Sequence, residues 1–529
     1  MGFWDKSFRI FKCLCENGRQ GVRHIAQQTG LSKSSVHRLQ QAMEHRGVHP
    51  ESWLWETEEG RRWLTRLIVA TLYTFGLKRG VGMDTMSEFF ARLRLERQVG
   101  CSPSALRGVM QALEAAILEI AGSWEQDGRA GSEGREIIGA VDETFLERMI
   151  LVCMDLCTGY LLLEEVAEDR TYATWQALVA ERLQALGTGV RYLVSDRAKA
   201  LIQLADQGLE CLSMPDFFHV MHDLVKSYSL AIARRVRHAR RECQKAEEVF
   251  RKPPRHEGAP QATRAAQHQV EARRADVQRW ERVHSTYRHH LQVLSLTLPP
   301  FHIDDSTPQT SAQVHSRLET AVTAIATLAQ DHQFSAQHDA MKKVRKQLPA
   351  LAALVDFWWE GVGQDLEQAA LAAPWRIWAK EILLPWVYWE HQVARTRCAR
   401  RKAKLREAWE ASKGAFHHHV LTLRLPAQAL EDWHTWATQQ VRAFQRASSA
   451  VEGRNGALAQ LHHNQRGLAK QRYKGWTVLH NFDCRASDGT TPASRFFRRS
   501  FPDLFEAVLS NIEALPRPRQ RHQAMALTG

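Results

Sequence analysis

Between residues 137 and 226 the chain switches repeatedly between strand-like and helix-like patterning. Residues 137–141 are apolar and β-prone, and MILVCMDL and YLLLEEV follow with Thr158-Gly159 as the turn between them. This predicts a three-strand meander whose first strand leaves the core at Asp142. TYATWQALVAERLQALG then places apolar residues at helical spacing and stops at Gly187, after which VRYLVSD is a short run of buried-strand type ending in Asp196. AKALIQLAD reads as a second helix, LECLSM as a fifth strand, and DFFHVMHDLVKSY as a helix opened by Pro215 and Asp216. Further on the period is helical. RRVRHARRECQKAEEVFRK and VEARRADVQRWERVHSTYRHH predict two long helices joined by the breaker PPRHEGAP as an antiparallel hairpin, and LPPFHIDDSTPQTS separates them from a second helical group.

The order βββαβαβα is that of a ribonuclease H-like sheet. With Asp216-Phe217-Phe218-His219-Val220 after the fifth strand, residues 137–226 and 440–500 resemble the DDE transposases of bacterial insertion sequences. The resemblance implies that Asp142, Asp196 and Glu452 are the catalytic residues and the ligands of two Mg²⁺ (or Mn²⁺) ions. Hard divalent ions prefer such oxygen ligands, and a pair of them suits in-line phosphodiester displacement. The long separation of Asp196 from Glu452 implies a large helical insertion within the catalytic fold. Glu452 sits in SSAVEGRNGALAQLHH, on a helix that is otherwise basic, so Arg454, Asn455 and Arg466 are candidates for the DNA backbone beside it. His219 is either support for the active site or a packed helix histidine. Glu143, Glu147 and Asp155 compete with Asp142, and Glu407 and Glu431 with Glu452; Glu143 is expected on the opposite strand face.

A second signal comes from GVRHIAQQTGLSKSSVHRLQ. Ala26, Gly30 and Val36 have the offsets of a helix-turn-helix: a small residue at the helix crossing, glycine at the turn, and an apolar anchor on the second helix. That second helix should begin near Ser32 and present Lys33, Ser34, Ser35, His37 and Arg38 to the major groove. SEFFARLRLERQVGCSPSALRGVMQAL repeats the pattern with Gly100 and Leu106, though Glu96 occupies the small-residue position. Its exposed candidates are Ser102, Ser104 and Arg107.

Composition changes the picture mainly through charge. A formal net charge of +13 favours a polyanionic partner, here double-stranded DNA, with the resemblance implying terminal inverted repeats and target DNA bound by a homodimer or higher multimer. No secretory signal is visible and the longest apolar stretch is too short to span a bilayer. Nine cysteines without paired zinc spacing read as free thiols of a reducing cytoplasm, and the resemblance implies a bacterial, nucleoid-associated setting. The tryptophans at 358, 359, 375, 378, 386 and 389 should build the core of the insertion. The expected organisation is a helix-turn-helix domain over 1–80, a second such module over 81–127, the GRAGSEGRE linker, catalytic core over 137–222, helical insertion over 223–440, core completion over 441–485, and a C-terminal helix with basic tail over 486–529. Two alternatives remain: a non-catalytic DNA-binding regulator, or a metal-dependent nuclease without strand transfer.

Overall fold

The computed structural model describes residues 3–18, 20–48, 54–55, 57–251, 259–334, 338–445, 449–464, 470–486, 488–512 and 515–518. It divides into two compact units, one of residues 1–133, 164–166 and 455–529, the other of 134–163 and 167–454.

The first unit opens with α1 (Phe3–Asn17), α2 (Val22–Thr29) and α3 (Lys33–Val48), which share a core of Ile10, Cys13, Ile25, Ala26, Val36 and Leu39. Gly30 adopts φ +69 and donates its N–H to the Ala26 carbonyl, so the turn needs a residue that accepts the left-handed region. Then come α4 (Glu58–Thr71), α5 (Met83–Arg92) and the 30-residue α6 (Pro103–Ser132). Of the glycine-rich stretch expected as a linker, residues 128–132 are the end of α6, and after a turn at Glu133-Gly134 the chain enters a strand at Arg135. A Cβ on Gly128 would meet the Phe497 ring at 2.8 Å and one on Gly131 the Phe497 carbonyl oxygen at 2.2 Å, so these glycines permit close packing rather than flexibility. Gly100 is also reassigned. It does not take a left-handed turn conformation; its N–H donates to the Pro516 carbonyl at 2.7 Å, and the chain from α5 to α6 passes through a short 3₁₀ turn at Leu95–Arg97.

The second unit is built on a mixed five-stranded sheet of order β3-β2-β1-β4-β5, in a chain that is otherwise largely helical. β1 (Arg135–Leu146) pairs antiparallel with β2 (Arg148–Asp155), and β3 (Leu161–Ala167) completes that side. On the other side β1 runs parallel to β4 (Thr188–Ser195), and β4 parallel to β5 (Leu212–Pro215). The parallel strands are apolar runs, as burial on both faces requires. Crossovers are supplied by α7 (Tyr172–Leu186), capped by Thr171 and ended by Gly187 at φ +67, and by α8 (Lys199–Gln203) with the π-helical turn that extends it.

From β5 the chain enters α9 (Phe217–Arg251), a single 35-residue helix. No break occurs at residue 223, where the insertion was expected to begin: buried positions from Val220 through Val236 to Ala246 continue one apolar face across it. α10 (Ala259–Thr297) returns antiparallel, as expected: Glu247 pairs with Arg274, Arg240 with Glu281, and the Tyr287 hydroxyl donates to the Leu224 carbonyl. Residues 252–258 of the connecting breaker lie outside the described residues. α11 (Ser311–Asp331), α12 (His338–Gln368), α13 (Ala373–Trp378), α14 (Leu384–Arg395), α15 (Ala399–His418), α16 (Val420–Leu423) and α17 (Ala427–Ala443) follow. Phe301, fully buried, gathers Trp358, Trp359, Tyr388 and Trp389 around it. The indole N–H groups of Trp358, Trp378 and Trp389 each find an oxygen, so the tryptophans do form the helical core. α18 (Ser449–Asn464) carries Glu452 in its first turn. Among the described residues no helix is long and apolar enough to cross a membrane.

Candidate functional site

Asp142 lies within β1, not at its end. Pairing with β4 stops at Ala140↔Val194, while the hairpin with β2 continues through Asp142↔Val152 to Leu146↔Arg148. Asp142 is therefore two residues beyond the point where β1 loses its parallel neighbour. Asp196 occupies the equivalent register just past the end of β4, so the two aspartates leave the same end of the sheet from adjacent strands.

α9 starts where β5 ends, and Asp216 shapes that junction. It is buried; its N–H donates to the Ser195 carbonyl at 2.7 Å and its Oδ1 accepts from the Phe218 N–H at 2.8 Å. His219, three residues on, places Nε2 3.7 Å from Asp216 Oδ2 and 3.6 Å from Glu452 Oε1. Asp142, His219 and Glu452 each offer one ligand atom, and these atoms lie within 4.8 Å of one another. The site thus joins a strand carboxylate, the first turn of α9 and the first turn of α18.

Burial pushes the Asp142 carboxyl up to about 7, and the Glu452 charge facing it pushes in the same direction; a hydrogen bond from the backbone at Glu143 and the nearby His219 offset part of this. Two carboxylates and an imidazole converging where one carboxylate resists ionisation form a donor set that a divalent cation would relieve. The residues fit such an ion.

Asp196 does not join this group. Its Oδ1 accepts the Ala198 N–H at 2.8 Å, turning the carboxylate toward its own loop. Glu143 is tied to Arg170, and Asp155 is fully buried, accepting from the Cys157 and Thr158 N–H groups and the Thr158 hydroxyl as a turn former. Sequence reasoning gave His219 a supporting place and Asp216 only the role of helix opener. The i, i+3 spacing of Asp216 and His219 on a first helical turn was the signal that they act together.

α3 starts at Lys33, beside the Ser32 at which it was expected to begin. Ser32 caps the helix, its Oγ accepting the Ser35 N–H at 3.2 Å; Lys33, Ser34, His37 and Arg38 are exposed and Ser35 half-buried, its hydroxyl accepting from Ser32. Ser102 similarly caps α6 by accepting the Ala105 N–H, with Ser104 3.2 Å from it and Arg107 3.9 Å from Asp84. Arg454 corrects an expectation: only 8% exposed, it faces inward rather than offering its guanidinium to a phosphate. Asn455 is half-buried beside it, and Arg466 lies outside the described residues.

The IclR helix-turn-helix domain model matches residues 5–48. The N-terminal segment is an IclR-type helix-turn-helix. Its match covers all of α2 and α3, including Gly30 and the exposed row on α3, which makes DNA the expected ligand of this segment. A second model, a family of unknown function (DUF6399), matches residues 379–524 and so includes Glu452. No curated protein matches the chain.

Proposed function

We propose that this protein is a DNA-cutting and DNA-joining enzyme of the DDE transposase type, recognising DNA through its N-terminal helix-turn-helix and acting at Asp142, Asp196 and Glu452, with His219 beside them. The observation that carries this reading is the meeting of Asp142 on a sheet strand with Glu452 from a helix near the other end of the chain. The strand order, antiparallel on one side of β1 and parallel on the other, supports a ribonuclease H-like sheet. The register of Asp142 and Asp196 supports a shared role for the two aspartates.

Asp142, His219 and Glu452 would hold one divalent cation; Asp196 would contribute to a second after releasing the Ala198 N–H. Such ions supply Lewis-acid charge at the scissile phosphate and lower the pKa of the attacking water. Asp216 fixes the first turn of α9 and thereby the imidazole of His219.

The test is to incubate full-length protein with a plasmid carrying the DNA that flanks its own gene, in Mg²⁺ or Mn²⁺, and to follow nicking and strand joining. Asp142→Asn and Glu452→Gln should abolish both while leaving DNA binding intact, and Arg38→Ala should weaken binding to the preferred sequence by about 1–3 kcal/mol. Cleavage by either acidic variant near the wild-type rate would overturn the assignment. Cleavage without joining would identify a nuclease, and specific binding without cleavage a regulator.

A further inference from the structure

Two adjoining hollows of about 960 Å³ each lie along the helical part of the second unit, sharing Gln333 and Phe334 in their walls. One is lined by the arginine run of α9, the other by Lys342, Arg345 and Lys346 of α12. The cations of these two helices differ in what they touch. On α9, Arg240 pairs with Glu281 and Arg235 lies over the Trp280 ring at 5.6 Å. On α12, Lys343 pairs with Asp223 and Arg345 with Glu319. Arg234, Arg241, Lys342 and Lys346 are exposed and have no carboxylate partner among the described residues.

Helical spacing adds an independent reason. Along α9, positions 219, 226, 234, 237 and 241 recur at intervals of seven, eight, three and four, which keeps them on one stripe of the helix. The buried face runs through Leu224, Tyr228, Ile232 and Val236 instead. Thus the stripe that begins with His219 at the candidate site continues through exposed Lys226 to Arg234 and Arg241. The rise from His219 to Arg234 is about 22 Å, the length of about six base-pair steps of duplex DNA.

We propose that Arg234 and Arg241 of α9, with Lys342 and Lys346 of α12, form a phosphate-binding tract that holds the backbone of double-stranded DNA leading away from the candidate active site. This rests on the reading of the site as one that acts on DNA, but it makes its own prediction for binding. Unneutralised cations along a groove release counterions when they meet phosphates, whereas cations already paired with carboxylates do not.

The experiment is a salt titration of full-length protein binding a random-sequence DNA duplex in EDTA, where no cleavage occurs. Arg234→Ala with Arg241→Ala, and Lys342→Ala with Lys346→Ala, should each lower the slope of log K against log salt by about 0.9 for each phosphate no longer neutralised, about 1.8 per pair. Arg240→Ala with Lys343→Ala, which remove cations already paired with Glu281 and Asp223, should leave the slope unchanged, and thermal unfolding of the exposed-pair variants should match wild type. An unchanged slope in the first two pairs overturns the tract. So does an equal fall in the Arg240 and Lys343 pair, which would reveal diffuse charge, or a slope change seen with single-stranded RNA and absent with the duplex. Loss of cleavage has no bearing on these slopes, so the tract and the enzymatic reading fail separately.

Discussion

Replacing Asp142 with Asn should make the metal-free protein more stable. In the folded protein the Asp142 carboxyl is raised from 3.8 to about 7, first by burial and then by the Glu452 carboxylate. A carboxyl raised in this way binds its proton more tightly folded than unfolded. Its contribution is therefore intact below about pH 3.8, declines as pH rises toward about 7, and stays lost above that. About three pK units at about 1.4 kcal/mol each set an upper bound of about 4 kcal/mol, and solvent reaching the half-buried group reduces this to about 2–4 kcal/mol. Asn keeps the shape, removes the charge, and lets its amide donate toward Glu452. In EDTA at about pH 8 the variant should melt higher than wild type by on the order of 5 °C, and the advantage should vanish at about pH 4. Addition of Mn²⁺ should reverse the order, because wild type gains about 2.7 kcal/mol at a hundredfold excess over Kd while the variant has lost a ligand. Differential scanning calorimetry across pH, with and without metal, measures both effects. Equal stability of the two proteins in EDTA at alkaline pH, or an identical response to Mn²⁺, would refute the reasoning.

Two further outcomes follow from other parts of the fold. His391 is held down to about 4 by burial and by Arg395 and Arg442, with Arg395 donating to its Nε2 at 3.3 Å; because the unfolded chain takes up the proton first, stability should fall as pH drops from about 6.5 to about 4, by about 2–3 kcal/mol. His391→Gln should flatten that part of the curve in urea titrations, and an unchanged pH dependence would remove His391 as its source. Within α6, a methyl group added at Gly122 would meet nothing within 4 Å, while one added at Gly131 would lie 2.2 Å from the Phe497 carbonyl oxygen. Gly122→Ala should therefore gain up to about 1 kcal/mol from helix propensity alone, and Gly131→Ala should lose about 1–3 kcal/mol through overpacking; the same sign for both in thermal melts would contradict the packing.

What the sequence disclosed best was what depends on near neighbours. The helix-turn-helix needs Ala26, Gly30 and Val36 at fixed offsets, and each does locally what its residue type permits: fit a crossing, adopt φ +69, anchor a core. The five strands were likewise readable as apolar runs bounded by turns. Their extents were not, because the length of β1 is set by its partner: the hairpin with β2 carries it to Leu146, six residues beyond its last pair with β4 at Ala140. That mismatch moves Asp142 from the end of a strand to its interior. The glycines of α6 misled for the opposite reason, since flexibility and close packing draw on the same missing side chain, and only Phe497 against Gly128 and Gly131 distinguishes them.

The resemblance singled out Glu452, yet the surroundings of that residue were misjudged because a helix has two faces and composition reports neither. The basic character of its helix suggested guanidinium groups around the carboxylate, whereas Arg454 turns inward and the group that meets Glu452 is His219, more than two hundred positions earlier in the chain. The same limit governs α9. Five arginines between 234 and 241 are equivalent as composition, but once Glu281 and Trp280 are seen to occupy Arg240 and Arg235, the helical period leaves Arg234, Arg237 and Arg241 facing outward. Because α9 runs unbroken from Phe217 to Arg251, the imidazole near the acidic pair and the outward cations belong to one rigid element. A displacement of that helix would therefore move His219 and the cationic stripe together, so a charge change at Arg234 or Arg241 that shifted α9 should also register as an altered Mn²⁺ response at Asp142 and Glu452, whereas a change confined to phosphate binding should leave that response as it is in wild type.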